Sequence, residues 1–248
     1  MAGHSKFKNI MHRKGAQDLK RAKVFNRLSK EIMVAARAGS DPALNPRLRS
    51  AIYAARKENM PSDRITTAVK KGSGELQAEA LEEIRYEGYG PGGVAILVET
   101  MTDNRNRTAA DIRALFSKYG GNMGETGSVG FMFDRKGIIT YPATKASADA
   151  MFEAALEAGA ENCESDPEWH EITCVMEDFG AVQSALAEKF GDADEAKLTW
   201  IPQTLTPLDE ATATSVLKLL SALDDNEDAQ DVISNAEFPQ AALDKLSA

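Results

Sequence analysis

The sequence predicts an α+β fold in three domains: an N-terminal three-helix domain, then an α+β domain interrupted by a ferredoxin-like α+β domain. Three observations carry that expectation. In residues 1–74, apolar side chains recur at the three- and four-residue spacing of a helix. After Gly72-Ser73-Gly74, short apolar runs alternate with helical stretches. Between residues 135 and 202 those stretches fall in the order β-α-β-β-α-β, the ferredoxin-like arrangement. The expected domains are therefore residues 1–74, residues 75–134 together with 203–248, and an inserted domain of residues 135–202. A chain of 248 residues with 43% hydrophobic residues is long enough for two or three small cores.

The first 17 residues read as a mobile basic arm, because Gly, Ser and Asn lower helix propensity and few apolar side chains could anchor it. Asp18 to Ala38 reads as a long helix closed by Gly39. At 100° per residue, Phe25, Leu28, Ile32, Ala35 and Ala36 share one arc, and Lys20, Lys23, Arg27, Lys30 and Arg37 share the opposite one. Asn45 as N-cap and Pro46 at the first helical position open a second helix with Leu48, Ile52 and Ala55 inward. Ser62 is the expected cap of a third helix with Ile65, Ala68 and Val69 inward, and Gly72-Ser73-Gly74 reads as a flexible linker. Further on, 94–100 and 129–133 read as strands, and 107–119 as a helix with Asn106 as its cap. A helix over 208–223 and a strand over 229–234 end the chain. Inside the insertion the expected strands are 137–141, 161–165, 168–175 and 197–201, with helices at 147–158 and 179–190.

Charge divides the chain more sharply than its net value of −9 suggests. Residues 1–74 hold 9 Lys and 8 Arg against 3 Asp and 2 Glu, a balance of +12, and the remainder carries −21. A polyanion is drawn to one end and turned away from the other, which argues for nucleic acid as partner. The candidate binding residues are His4, Ser5, Lys6, Phe7, Lys8, His12, Arg13 and Lys14 in the arm, and Lys20, Lys23, Arg27 and Lys30 on the first helix. Arg105 and Arg107 join them, two guanidinium forks at a strand-to-helix corner of the acidic body.

Nothing comparable points to catalysis. Two of the three histidines, His4 and His12, lie in the arm, a poor place to hold a reacting geometry, and His170 sits in an alternating strand. Gly90-Pro91-Gly92-Gly93 precedes a strand rather than a helix, so it reads as a tight turn and not a phosphate loop. The acidic run Asp224 to Asp231 lacks the spacing and glycine of a Ca²⁺ loop and reads as a solvated turn. Cys163 and Cys174 read as free thiols. No metal, no cofactor and no small-molecule substrate is expected. No apolar run is long enough for a membrane span, and the basic N-terminus does not read as a secretory signal or transit peptide, so a cytoplasmic location is expected.

Several blocks resemble the YebC/PmpR family, bacterial regulators with mitochondrial relatives that activate translation. They are Ala2-Gly3-His4-Ser5-Lys6 with Asn9, His12, Arg13 and Lys14; Tyr86 to Gly93; Asp103 to Thr108; Phe116 to Asn122; Ala154 to Ala160; and Asp228 to Val232. The likeness spans nearly the whole chain. Phe7 stands where the family usually has Trp, and Ala229 where it usually has Val. The resemblance implies three domains, no enzymatic activity, and one of two roles. One is a ribosome-associated translation factor that contacts ribosomal RNA and relieves stalling at sequences such as polyproline. The other is a regulator of transcription that binds double-stranded DNA. An arm that orders on an irregular surface, with Phe7 or histidines stacking on bases, suits RNA. A duplex reader needs a recognition helix with side chains set for base edges, and none is evident. A pure protein-interaction module would leave the +12 domain unexplained.

Overall fold

The structure is a computed structural model that describes residues 17–78, 80–239 and 241–242. It is α+β in three domains. Helices α1 (Gln17–Ala36), α2 (Pro46–Lys57) and α3 (Ser62–Gly72) form the first. Ile32, Ala35 and Ala36 of α1 meet Leu48, Ala51, Ile52 and Ala55 of α2 and Ile65 and Ala68 of α3 in one core, as the helical spacing requires. Burying a side chain such as Ile32 or Leu48 completely stabilises the fold by roughly 1.5–3 kcal/mol. Asn45 caps α2: its Oδ1 accepts from the Leu48 N–H at 3.1 Å, with Pro46 next. The amide of the same side chain donates to the carbonyls of Ala35 and Gly39, both at 2.8 Å, so one residue starts α2 and closes α1.

Two details of this domain differ from expectation. Pro61, not Ser62, occupies the cap position of α3, and Ser62 is the first helical residue. Gly72 is not linker: it ends α3 against α1, where a Cβ would lie 2.2 Å from the Met33 carbonyl oxygen. Only glycine lets the two helices come that close.

The elements that follow are β1 (Glu82–Tyr89), β2 (Ala95–Thr102), α4 (Arg105–Lys118), β3 (Asn122–Met123), β4 (Phe133–Pro142), α5 (Ala148–Glu157) and β5 (Asn162–Ser165). Then come β6 (Trp169–Val175), α6 (Phe179–Phe190), β7 (Glu195–Pro202), β8 (Thr206–Pro207), α7 (Glu210–Asp224), β9 (Ala229–Ser234) and β10 (Ala236–Glu237). The second domain is an antiparallel sheet in the order β3-β1-β2-β9, with α4 and α7 packed on it through Ile112, Phe116, Val216, Leu219, Leu220 and Leu223. Strand β2 is inaccessible on both faces from Ala95 to Val98, which is why it reads as an unbroken apolar run. Strand β1 was not expected, yet it pairs with β2 in unbroken register from Glu82 opposite Thr102 to Tyr89 opposite Ala95. The strand expected at 129–133 is instead a single 3₁₀ turn at Gly130–Met132, and β4 begins at Phe133. Gly90 to Gly93 form the expected turn, with Gly92 and Gly93 at φ +73° and +74°.

The inserted domain is ferredoxin-like: its sheet order β5-β6-β4-β7 places the second, third, first and fourth strands of the β-α-β-β-α-β unit side by side. Met151, Ala154 and Ala155 of α5 and Val182 and Leu186 of α6 pack on Ile139, Tyr141, Ile172 and Cys174 of that sheet. His170 is part of this scaffold. Its Nε2 lies 3.1 Å from the Ala146 carbonyl, so Nε2 carries the proton and Nδ1 accepts from the Ser165 hydroxyl at 2.7 Å. The chain divides into two compact units, residues 1–133 with 202–248 and residues 134–201. The three-helix domain and the discontinuous sheet domain share the first unit.

Candidate nucleic-acid interface

The cationic side of α1 does not face open solvent. Lys23 Nζ lies 2.9 Å from Asp225, Arg27 Nη2 lies 3.0 Å from Asp224, and Lys30 Nζ lies 2.7 Å from Asp228. Lys30 also donates to the carbonyls of Met101 at 2.9 Å and Glu227 at 3.1 Å, and Arg27 donates to the Asp224 carbonyl. These acceptors lie mostly at the C-terminal end of α7 and the turn after it. The exposed carbonyls and negative dipole end of α7 add to the acids in attracting a row of cations. The run from Asp224 is therefore a docking site for α1 and not simply a solvated turn. A small apolar contact of Val34 and Met33 with Leu81 and Met101 adds to the attachment of α1.

Asp228 is the hub of this arrangement. Only 5% exposed, it accepts from Lys30, from the Thr108 hydroxyl at 2.7 Å and from Arg107 Nη2 at 3.0 Å. Burial pushes its carboxyl up, and the three donors, with the Lys30 charge, override burial and hold it at about 2. Three segments remote in sequence thus meet on one carboxylate: α1, the start of α4, and the loop into β9. Arg107, half-exposed, also pairs with Asp103 at 2.8 Å. Asn104, not Asn106, caps α4, its Oδ1 accepting from the Arg107 N–H at 3.1 Å. Arg105 is exposed at the first position of the helix, and its carbonyl accepts from the Tyr86 hydroxyl at 3.1 Å.

Glu87 is a second buried carboxylate. It accepts from the N–H groups of Val129 at 2.9 Å and Gly130 at 2.7 Å, and Arg85 lies 3.2 Å away. Burial pushes its carboxyl up, and the backbone donors of Val129, Gly127 and Gly130 pull it below the ordinary range. Its work is to hold the glycine-rich loop before β4 against β1. Both carboxylates are locked in the ionised form by fixed donors, an arrangement that suits architecture rather than proton transfer. Among the described residues no group of three metal-ligating side chains occurs, and no helix is long and apolar enough to cross a membrane. Burial pushes the thiols of Cys163 and Cys174 up, Cys174 to about 11 with help from Asp178 and Glu161.

The predicted binding residues thus separate. Lys23, Arg27 and Lys30 meet on the acidic turn, Arg107 joins them through Asp228, and Arg105 stays exposed beside them. His4, Ser5, Lys6, Phe7, Lys8, His12, Arg13 and Lys14 lie outside the described residues, as does the side chain of Lys20. An open cleft of about 690 Å³ borders the docked row, lined by Asn26, Ser29, Lys30, Lys71, Leu81 and Glu227 among others. Neither Asp228 as a buried acceptor nor Asn104 as a cap was expected from the sequence. Both lie in blocks that carry the family resemblance, the one signal that marked them.

Residues 5–75 match the family model described as TACO1/YebC protein N-terminal domain. Residues 81–236 match a transcriptional-regulator model described as TACO1/YebC second and third domain. The chain is also similar to the crystal structure of a conserved hypothetical protein from Aquifex aeolicus. Sequence identity is 46% over 90% of this chain and 92% of that one, with a TM-score of 0.83.

Proposed function

The chain belongs to the TACO1/YebC family, and on that premise we propose that it is a non-enzymatic, nucleic-acid-binding regulator acting in the cytoplasm as a ribosome-associated translation factor. Its N-terminal domain contacts ribosomal RNA and eases synthesis through difficult sequences such as consecutive prolines. The arm supplies Lys6, Lys8, Arg13 and Lys14 for phosphates, with Ser5 as a further donor and His4, Phe7 and His12 to stack on unpaired bases. Lys20 and Arg105 extend the cationic track. Lys23 and Arg27 join it where RNA phosphates displace the exposed carboxylates of Asp225 and Asp224, and Lys30, held on the buried Asp228, adds its charge from behind them.

The observation that favours RNA over duplex DNA is the direction of α1. A recognition helix lies in the major groove with its reading side open. The cationic side of α1 packs instead on residues 224–228. That leaves a short basic arm and surface cations, which suit an irregular RNA surface better than a regular groove. The test is crosslinking in growing cells, capture of the protein, and sequencing of both the RNA and the DNA that accompany it. Enrichment of ribosomal RNA at a defined site is expected. Enrichment of promoter DNA with little ribosomal RNA would overturn the proposal.

A further inference from the structure

With the α1 row facing carboxylates, the question is which part of the N-terminal domain offers unneutralised cations on a fixed surface. Helix α2 does. Its core side is Leu48, Ala51, Ile52 and Ala55. Arg49, Tyr53 and Arg56, at steps of four and three, lie together on one flank beside that core side as direct neighbours. All three are exposed, Tyr53 to 41%. Arg49 Nη1 donates to the carbonyls of Pro42 at 3.2 Å and Ala43 at 3.3 Å, which fixes its direction without cancelling its charge. Among the described residues Arg56 has no carboxylate partner, and no cation lies over the Tyr53 ring. Leu44, 85% exposed, follows directly on the loop that holds Arg49. The acids nearest in sequence are Glu58, the C-cap of the helix, and Asp41, which accepts from the Ala43 N–H within that loop.

Tyr53 stands outside the core cluster of its domain, partly exposed between two arginines. The ring offers a π-face, the guanidinium groups offer phosphate forks, and among the described residues no carboxylate pairs with either arginine. Duplex nucleic acid keeps its bases stacked inside and gives such a ring nothing to cover. An unpaired strand presents both a free base and flanking phosphates. We infer that this side of α2 is a binding site for an unpaired segment of RNA, with a base stacked on Tyr53 and phosphates held by Arg49 and Arg56. The inference rests on the RNA-binding reading above and assigns it a surface that neither the arm nor the α1 row includes.

The test uses the full chain and a short fluorescent, unpaired RNA, with single-stranded and duplex DNA of the same sequence beside it. Arg49→Gln combined with Arg56→Gln is expected to weaken RNA binding and lower the salt slope by about 1.4, at about 0.7 for each cation removed from a single strand. Tyr53→Ala is expected to weaken binding about 5- to 150-fold with the salt slope unchanged, and Tyr53→Phe to restore it, because stacking needs the ring and not the hydroxyl. Lys189→Gln, in the inserted domain, is the control and is expected to bind as wild type. Photocrosslinking of a thiouridine RNA to wild-type protein is expected to mark the peptide containing Tyr53, which keeps the test decisive if a variant misfolds. Variants that bind as wild type, or a crosslink mapped only elsewhere, would overturn the α2 site and leave the RNA-binding reading standing. No binding of unpaired RNA by wild type would overturn both. Equal losses on single-stranded DNA and RNA would overturn the assignment to RNA.

Discussion

Replacing Asp228 with Asn tests the polar hub directly. The carboxylate accepts from Lys30 and Thr108, each at 2.7 Å, and from Arg107 at 3.0 Å. Its pKa is held at about 2 against an ordinary 3.8. A depressed folded-state pKa means that the ionised carboxylate stabilises the fold at any pH above the unfolded value. That contribution drains away as pH falls from about 3.8 towards about 2. A gap of just under two units, at about 1.36 kcal/mol each, is roughly 2 kcal/mol. Asn keeps one acceptor but points an NH₂ group at donors, so the expected loss is about 2–3 kcal/mol. It stays below the cost of breaking a wholly buried pair because the side chains of Lys30 and Arg107 are 21% and 49% exposed and rehydrate. The assay is urea unfolding followed by far-UV circular dichroism. Trp169 and Trp200, the two tryptophans, both lie in the inserted domain, so their fluorescence serves as an internal reference. The dichroism midpoint is expected to fall in Asp228→Asn near neutral pH, and the gap from wild type to close as acid protonates the native carboxylate. Equal midpoints near neutral pH, or a gap that persists undiminished to about pH 2, would refute the reasoning.

Asn45→Asp keeps the cap on α2 but sets a carboxylate against two carbonyls that now receive hydrogen bonds at 2.8 Å; a loss of about 2–3 kcal/mol is expected by chemical denaturation, and an unchanged midpoint would show that those carbonyls rehydrate freely. Glu87→Gln leaves an acceptor for the Val129 and Gly130 N–H groups without its charge, so their amide hydrogens are expected to exchange about tenfold faster, reflecting roughly 1–2 kcal/mol of weaker bonding. Asp224→Asn with Asp225→Asn removes carboxylates that are 36% and 76% exposed, so stability is expected to change by less than about 1 kcal/mol. RNA affinity is expected to rise in that variant, and unchanged affinity would take Lys23 and Arg27 out of the binding surface. Cys174, buried and with its thiol pushed up to about 11, is expected to resist alkylation at mildly alkaline pH until denaturant is added; rapid modification of the native protein at that residue would contradict its burial.

What the sequence disclosed follows the range of the forces involved. Strand β2 was legible because burial on both faces demands a continuous apolar run. Strand β1 was not, because its neighbours β2 and β3 select it through backbone hydrogen bonds that Glu82, Glu83 and Arg85 serve as well as any residue. The Asn45 cap was legible from its proline, but Asn104 and Asn106 are equally good caps, and the choice between them depends on where β2 ends at Thr102. The helical spacing showed that Lys23, Arg27 and Lys30 share a side and not what that side faces. Asp228 was hidden in an acidic run, since what separates it from Asp225 is contact with Lys30 and Thr108, remote in sequence.

The charge division that first suggested nucleic acid is therefore partly satisfied within the molecule. The three α1 cations and Arg107 face acids that belong to the −21 side of the chain. These pairs are unequal. Asp224 and Asp225 are exposed enough that their pairs contribute little, whereas Asp228 is buried and triply bonded. The position of α1 must then be fixed by Asp228 and by the apolar contact of Val34 and Met33 with Leu81 and Met101. The exposed pairs can yield to phosphates without releasing the helix. A surface built this way keeps its geometry while its outer cations exchange partners. It also leaves Arg49 and Arg56 on α2, which pair with no carboxylate among the described residues, as charge available from the start.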